Sequence, residues 1–342
     1  MGVNITELLP IKKISLRDLK GKTVAIDASL FLYQFLSSIR QADGAPLSDS
    51  NGEVTSHLSG LFQRSASLMG QGIRLIYVFD GSAPALKEKE RERRREIKLA
   101  AEAKYHAAAQ EGDIREMKKF ASRTSRLTTG MVDEAKELLM AMGIPVIQAP
   151  SEAEAQAAHM VKKGDAYALA SQDADTLMFG TPLLVRNLSI AGKRKKTNAV
   201  AYQTITPELV SLTDVFNNLS IDQDRLIALC MLVGTDFNRG GIKGIGPKTA
   251  LKLVKEHDLD SLFSTVKWSE HFEMDWTEVF YLIKKMPVTD DYHITFNPAD
   301  EKKVKAILCA RHGFSEERIE AALGKIIKDQ GPQGQKGLGD FF

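Results

Sequence analysis

Hydrophobic residues fall into short apolar runs separated by stretches of helical length. Residues 22–27 (KTVAID), 73–80 (IRLIYVFD), 144–149 (IPVIQA), 167–170 (YALA) and 182–190 (PLLVRNLSI) are apolar segments, several rich in β-branched and aromatic residues, which predicts strands. Between them lie segments with helical patterning. Residues 29–41 (SLFLYQFLSSIRQ) are apolar around most of their circumference and predict a buried helix, on which Tyr33 by itself reads as core. Residues 55–72 predict a second helix starting near Thr55, with His57 at or near its surface, after a loop at 42–54 rich in Gly, Asp and Ser. Residues 131–143 form an amphipathic pattern ended by Gly143. Ser151-x-x-Glu154 after Pro150 reads as a capping box opening a helix over 151–163. Strand, helix, strand at this spacing predicts an α/β fold, a largely parallel sheet with helices on both sides.

Three of these runs lead into aspartate. They end at Asp27, at Asp80, and at the pair Asp173 and Asp175 in LASQDADTLMFG (169–180). If the strands are parallel neighbours, their carboxyl ends share one sheet edge, where open α/β sheets bind ligands. One such acid in a turn needs no explanation, because Asp is common in turns. Repetition at the end of successive apolar runs does, because clustered carboxylates repel one another and lose hydration unless a cation joins them. Glu152 and Glu154 add two more acids, and Asp236, after LIALCMLVGT, a seventh. Hard oxygen ligands without a His or Cys cluster favour magnesium or manganese over zinc. Seven acids exceed what one such ion takes and suit a two-metal site for phosphodiester cleavage.

Charge sharpens this picture. The 342 residues carry a formal net charge of only +2, with 43% apolar and 26% charged residues, as in an ordinary globular protein. Residues 84–130, however, hold 13 Lys and Arg against 8 Asp and Glu, so that segment is +5 and the remainder −3. Within it, residues 84–112 predict a helix polar all round, with Lys87, Arg91, Arg94 and Lys98 on one face. Such a helix is either solvated and held by i,i+4 Glu/Arg pairs or faces a charged partner. With residues 112–130 it predicts a helical arch over the carboxylates, mobile without substrate because little core holds it. Lys193, Arg194, Lys195 and Lys196 predict the tip of a β-hairpin, either solvated or in contact with a duplex. Residues 224–257 read as helix, glycine-rich loop, helix. Gly244, Gly246 and Pro247 let backbone amides and a helix N-terminus face an anion, with Lys243 and Lys248 adding charge. Residues 258–326 predict helical packing without chemistry. Cys230 and Cys309 read as buried small hydrophobes, and the absence of a disulfide framework suits an intracellular setting. No apolar run reaches the roughly 18 residues of a membrane span.

The motifs VAIDAS, YVFDGSAPALK, APSEAEAQAA, ASQDADTL, VGTDFNRGGIKGIGPKTA and a terminal QKGLGDFF, in that order, resemble the flap endonucleases, in particular those of archaeal type. The resemblance spans nearly the whole chain. It implies a 5′ flap endonuclease and 5′–3′ exonuclease acting in replication and repair on flap or nicked DNA, as a monomer, with two magnesium ions (or manganese) on Asp27, Asp80, Glu152, Glu154, Asp173, Asp175 and Asp236. It implies that Lys87 and Arg94 reach the scissile phosphate, with Arg93 or Arg95 as alternatives should the register slip in the repetitive RERRR run. It reverses the core reading of Tyr33, which would stack on a base. Gly2 would become the mature terminus and pack near the active site. Thr55 would lie where the upstream strand is received. Residues 244–246 would belong to a helix-hairpin-helix element holding a monovalent cation, usually potassium, against a duplex phosphate. Gln335, Leu338, Phe341 and Phe342 would dock on the sliding clamp from a flexible tail at 327–342, outside a nuclease domain at 1–326. Two longer relatives, the excision-repair nuclease and the mismatch-repair exonuclease, are alternatives. A non-catalytic clamp-tethered junction binder is another, and seven intact acids argue against it.

Overall fold

The computed structural model describes residues 3–121, 124–190, 192–195 and 202–329. The chain opens with the short strand β1 (Lys12–Lys13) and the first core strand β2 (Thr23–Asp27), which runs directly into helix α1 (Ala28–Ser38). Helix α2 (Ser56–Met69) leads to β3 (Arg74–Phe79). Then come a long helix α3 (Glu88–Glu111) with α4 (Ile114–Ala121) packed against it, α5 (Thr129–Ala141), β4 (Val146–Gln148), α6 (Ala153–Lys163), β5 (Ala168–Ala170) and β6 (Leu183–Arg186). A separate ribbon, β7 (Gly192–Lys195) with β8 (Tyr202–Ile205), precedes β9 (Glu208–Ser211).

The main sheet runs β1-β9-β6-β5-β2-β3-β4. Its five central strands, β6 to β4, are parallel, and β9 and β1 close one side antiparallel. Alternation along the central strands explains why they are apolar throughout. Val24, Ile26, Leu75, Tyr77 and Phe79 face a core built with α1, α2 and α5. Ala25, Ile76, Val78 and Leu169 face a second layer containing Ala153, Ala157 and Met160 of α6. A strand buried on both faces has no polar side, the expected pattern for a parallel sheet. The order also places a switch point between β2 and β5. Strands added after β2 go first toward β4, then to the other side, which opens a crevice at the carboxyl ends.

The rest of the described chain is mostly helical. Helices α7 (Leu212–Leu219), α8 (Gln223–Val233) and α9 (Pro247–Glu256) are followed by α10 (Leu259–Thr265), α11 (Trp268–His271) and α12 (Trp276–Lys284). They share a core in which Phe263 stacks on Trp276 at 4.5 Å and meets Trp268 edge-on. An extended strap over residues 287–299 crosses the sheet layer. Thr289 exchanges hydrogen bonds of 2.8 and 2.9 Å with the Gln156 amide, and Tyr292 Oη donates to Asp165 at 2.5 Å. Gly143 (φ +76°) lets the strap pass, since a Cβ there would meet the Asn297 carbonyl. Helices α13 (Glu301–Lys305) and α14 (Glu316–Asp329) complete the fold.

Several expectations need correction. The cap of α6 is Glu152, not Ser151, whose hydroxyl donates instead to the Ser82 carbonyl at 3.1 Å. Lys193–Lys195 lie within strand β7, paired with β8, rather than at a hairpin tip. His57 is fully buried, and neither ring nitrogen has a hydrogen-bond partner among the described residues. Cys309 is partly exposed, while Cys230 is buried.

Candidate active site

The carboxyl ends of β2, β3 and β5 bring the acids together. Asp27 is the last residue of β2 and the cap of α1, and its Oδ1 accepts the Leu30 N–H at 3.1 Å. Neighbouring β3 delivers Asp80, whose Oδ1 accepts the Ala153 N–H at 2.8 Å, at the positive end of α6. The same helix start carries Glu152 and Glu154. On the other side of β2, the turn after β5 carries Asp173 and Asp175. Glu154 accepts the Ser171 hydroxyl at 3.0 Å, and Asp175 accepts the backbone N–H of Val3. The N-terminal segment therefore reaches the site at Val3. Gly2 itself lies outside the described residues.

These carboxylates feel one another. Burial, then the charge of Asp80, and with it Asp173 and Glu152, raises Asp27 to about 8. Burial, then Asp27, Asp175 and Asp173, raises Glu154 well above the carboxylate range. Burial raises Asp175 to about 6, helped by Asp173 and Asp236 and opposed by the Val3 N–H. Burial also raises Glu152, although Lys87 pulls the other way. An all-oxygen set that is costly to ionise together fits a divalent cation of the hard class. Among the described residues no three His, Cys, Asp or Glu side chains already stand as a metal-holding group. Two of the seven acids are instead engaged by cations of the following segment.

That segment is the polar one. Lys87 precedes α3 and bonds Glu152 at 2.5 Å, with its Nζ 4.8 Å from the centre of the Phe237 ring. Burial alone would lower its pKa, but Glu152, Asp236 and Glu154 raise it. Arg94 donates to Asp236 at 2.5 Å, and Lys98 sits 4.6 Å over the ring of Tyr33, which is 39% exposed on α1. The predicted one-sided face of this helix is thus real, and Arg94 rather than Arg93 turns toward the acids. Arg93 pairs with Glu90. Tyr33, Asp80, Lys87, Arg91, Arg94 and Glu152 line an open cavity of about 490 Å³.

Asp236 is presented by a loop whose anchor has no signature in the sequence. Asn238 is 1% exposed; its Oδ1 accepts the Thr235 hydroxyl at 2.6 Å and its Nδ2 donates to the Met231 carbonyl at 2.7 Å. The loop then turns through Gly244 (φ +85°) to Gly246, the cap of α9, with Pro247 at its first position. Lys248 is largely exposed there, 3.8 Å from Glu7. Thr55, at the start of α2, is buried, with its N–H on the Leu47 carbonyl at 2.7 Å. Lys196, Gln335, Leu338, Phe341 and Phe342 lie outside the described residues.

A parallel sheet whose carboxyl edge gathers acids beneath a cationic helix defines a nuclease of the XPG class. Residues 3–101 match the XPG N-terminal domain and residues 143–236 the XPG I-region. The chain is 51% identical to flap endonuclease 1 of Pyrococcus abyssi over 96% of its own length and 94% of that protein's. It is 50% identical to flap endonuclease 1 of Thermococcus onnurineus, covering 96% and 95%. The solved flap endonuclease-1 from Methanococcus jannaschii superposes with a TM-score of 0.74 at 40% identity, covering 96% of this chain and 98% of that one. This chain belongs to the archaeal-type flap endonuclease 1 family.

Proposed function

We propose that this chain is a structure-specific 5′ flap endonuclease, with accompanying 5′–3′ exonuclease activity, that hydrolyses DNA at single-strand/duplex junctions during replication and repair. The observation that carries the reading is the meeting of Asp27, Asp80, Asp173 and Asp175 at the ends of three adjacent parallel strands, opposite Lys87 and Arg94. The seven acids would hold two divalent cations, magnesium or manganese. These would supply charge stabilisation at the oxygens of the scissile phosphate. Asp80 and Asp27 are oriented by helix N–H groups, so their side chains are already placed. Lys87 and Arg94 are near enough to exchange carboxylate for phosphate and to stabilise charge developing during cleavage. Tyr33, exposed beside them, offers a face for base stacking. Helices α3 and α4, over residues 84–130, would act as an arch receiving the single strand. Gly244–Lys248 would grip the duplex backbone, with Lys243 and a potassium ion contributing charge. The strand β7 lysines and arginine would add a sequence-independent contact. The C-terminal residues Gln335 to Phe342 would dock on the sliding clamp, outside the nuclease domain.

The test is Asp173→Ala with a 5′-labelled flap in magnesium. The variant is expected to lose at least a thousandfold in cleavage rate while retaining flap binding by gel shift. Cleavage at the wild-type rate would remove Asp173 from the site.

A further inference from the structure

Glu90 lies one turn before Arg94 on α3, and its side chain is only 11% exposed although the helix around it is solvated. Three arginines explain this. Arg94 Nε donates to its Oε1 at 2.7 Å, Arg93 Nε to its Oε2 at 3.0 Å, and Arg239 Nε lies 3.6 Å from that same Oε2. The last contact crosses from α3 to the loop that carries Asp236. Those pairs outweigh the cost of burial and hold the Glu90 carboxyl below its ordinary range.

Arg94 is therefore held at two points. Nε is fixed by Glu90 and the terminal NH2 reaches Asp236. A guanidinium is planar, so holding it at both Nε and Nη2 fixes the plane in which the remaining donors point. A single contact to Asp236 would leave that plane free to rotate about the side-chain torsions. Without Glu90, the 42%-exposed Arg94 has solvent-facing rotamers available.

We infer that Glu90 is a positioning residue for cleavage. It aims the Arg94 guanidinium at the acid pocket, and Arg239, from the loop presenting Asp236, helps hold the Glu90 carboxylate in place. Glu90 does not touch the reacting atoms; it acts through Arg94. This inference rests on the flap-nuclease reading of the site.

The test is a double-mutant cycle of Glu90→Ala and Arg94→Ala, read by single-turnover cleavage and by binding of the same flap DNA in magnesium. Glu90→Ala is expected to slow cleavage about tenfold, about 1.4 kcal/mol of barrier, and to change the flap Kd by less than about twofold. In the Arg94→Ala background the same change is expected to cost less than about twofold. A general structural role predicts the same factor in both backgrounds. That result, or a Glu90→Ala rate within about twofold of wild type, overturns the inference. Should Glu90→Ala not fold, Glu90→Gln goes through the same cycle: a loss that vanishes without Arg94 supports the positioning role, and an equal loss in both backgrounds overturns it. A wild-type chain that does not cut flaps overturns the reading of the site, and this inference with it, whereas a cutting wild type with an additive cycle overturns the inference alone.

Discussion

At the scale of single residues, the same carboxyl or imidazole does different work according to burial. Asp80 and Asp27 are satisfied by helix N–H groups, yet burial, and after it the charge of Asp80, raises Asp27 to about 8. His57 shows the opposite sign. It is fully buried, and desolvation lowers it to about 4, with neighbouring His312 also lowering it and Glu134 opposing. Its neutral form is the one the fold accommodates. A base with a depressed folded pKa contributes stability above its unfolded pKa of about 6.5 and loses it as pH falls toward 4. His57→Leu is therefore expected to remove up to about 3 kcal/mol of the stability lost between pH 6.5 and 4, measured by urea melts across that range. An unchanged pH slope would show that His57 does not titrate with unfolding. The sequence carried no sign of this burial, because a His inside a Ser- and Leu-rich helix reads equally well on either face. Glu90 was half legible. Its i,i+4 spacing to Arg94 predicts a pair, but the second-element partner Arg239 does not follow from spacing.

At the scale of elements, α6 and α9 use their N-termini in different ways. The start of α6 is occupied within the chain, since Asp80 accepts its first N–H and Glu152 is its cap. The start of α9 points outward. Gly246 has φ −92°, and a Cβ built there meets nothing within 4 Å. An alanine at 246 is therefore compatible with the fold, and in the proposed duplex contact its methyl group would stand in the way of a phosphate. Gly246→Ala is expected to leave Tm within about 2 °C and to weaken duplex binding at least fivefold in a fluorescence-anisotropy titration at fixed salt. Unaltered affinity would detach α9 from the duplex. Helix α3 has mostly exposed residues, as its polar composition predicts. It is nevertheless fastened along one face by Arg94 and Lys98, and just before its start by Lys87, each on a different partner. The capping box on Ser151 illustrates why local motifs mislead at element boundaries. Ser151 satisfies Ser82 across the neighbouring loop, and the helix begins one residue later.

At the scale of the whole molecule, the sheet edge makes the proposed site and the helical half supports it. Asp236 lies in the loop between α8 and α9, which share the second core, while Asp27, Asp80 and Asp173 lie at the carboxyl ends of the sheet strands. Binding of ligands between them would link the two halves. No helix among the described residues is long and apolar enough to cross a membrane. The tail is expected to act separately from this body. Replacing Phe341 and Phe342 by Ala should abolish stimulation of cleavage by the sliding clamp, measured with purified clamp, and leave the clamp-independent rate within about twofold. Loss of that basal rate would make the tail part of the nuclease domain.

Residue order alone determined the α/β class, because runs apolar on every position can be buried only with layers on both faces. It also determined which acids were candidates, since each follows a strand or an apolar run. Only the tertiary structure decided the neighbours. The order β4-β3-β2-β5-β6 places Asp80 and Asp173 on either side of Asp27, and no local pattern encodes strand order. It likewise decided that Val3 reaches Asp175, that Asn238 anchors the loop of Asp236 and that Glu90 gathers three arginines. Val3 with Asp175 and Glu90 with Arg239 join residues far apart in the chain, and Asn238 reaches back from its loop to Met231 of α8. Their energies depend on distance and burial after folding, and sequence spacing specifies neither.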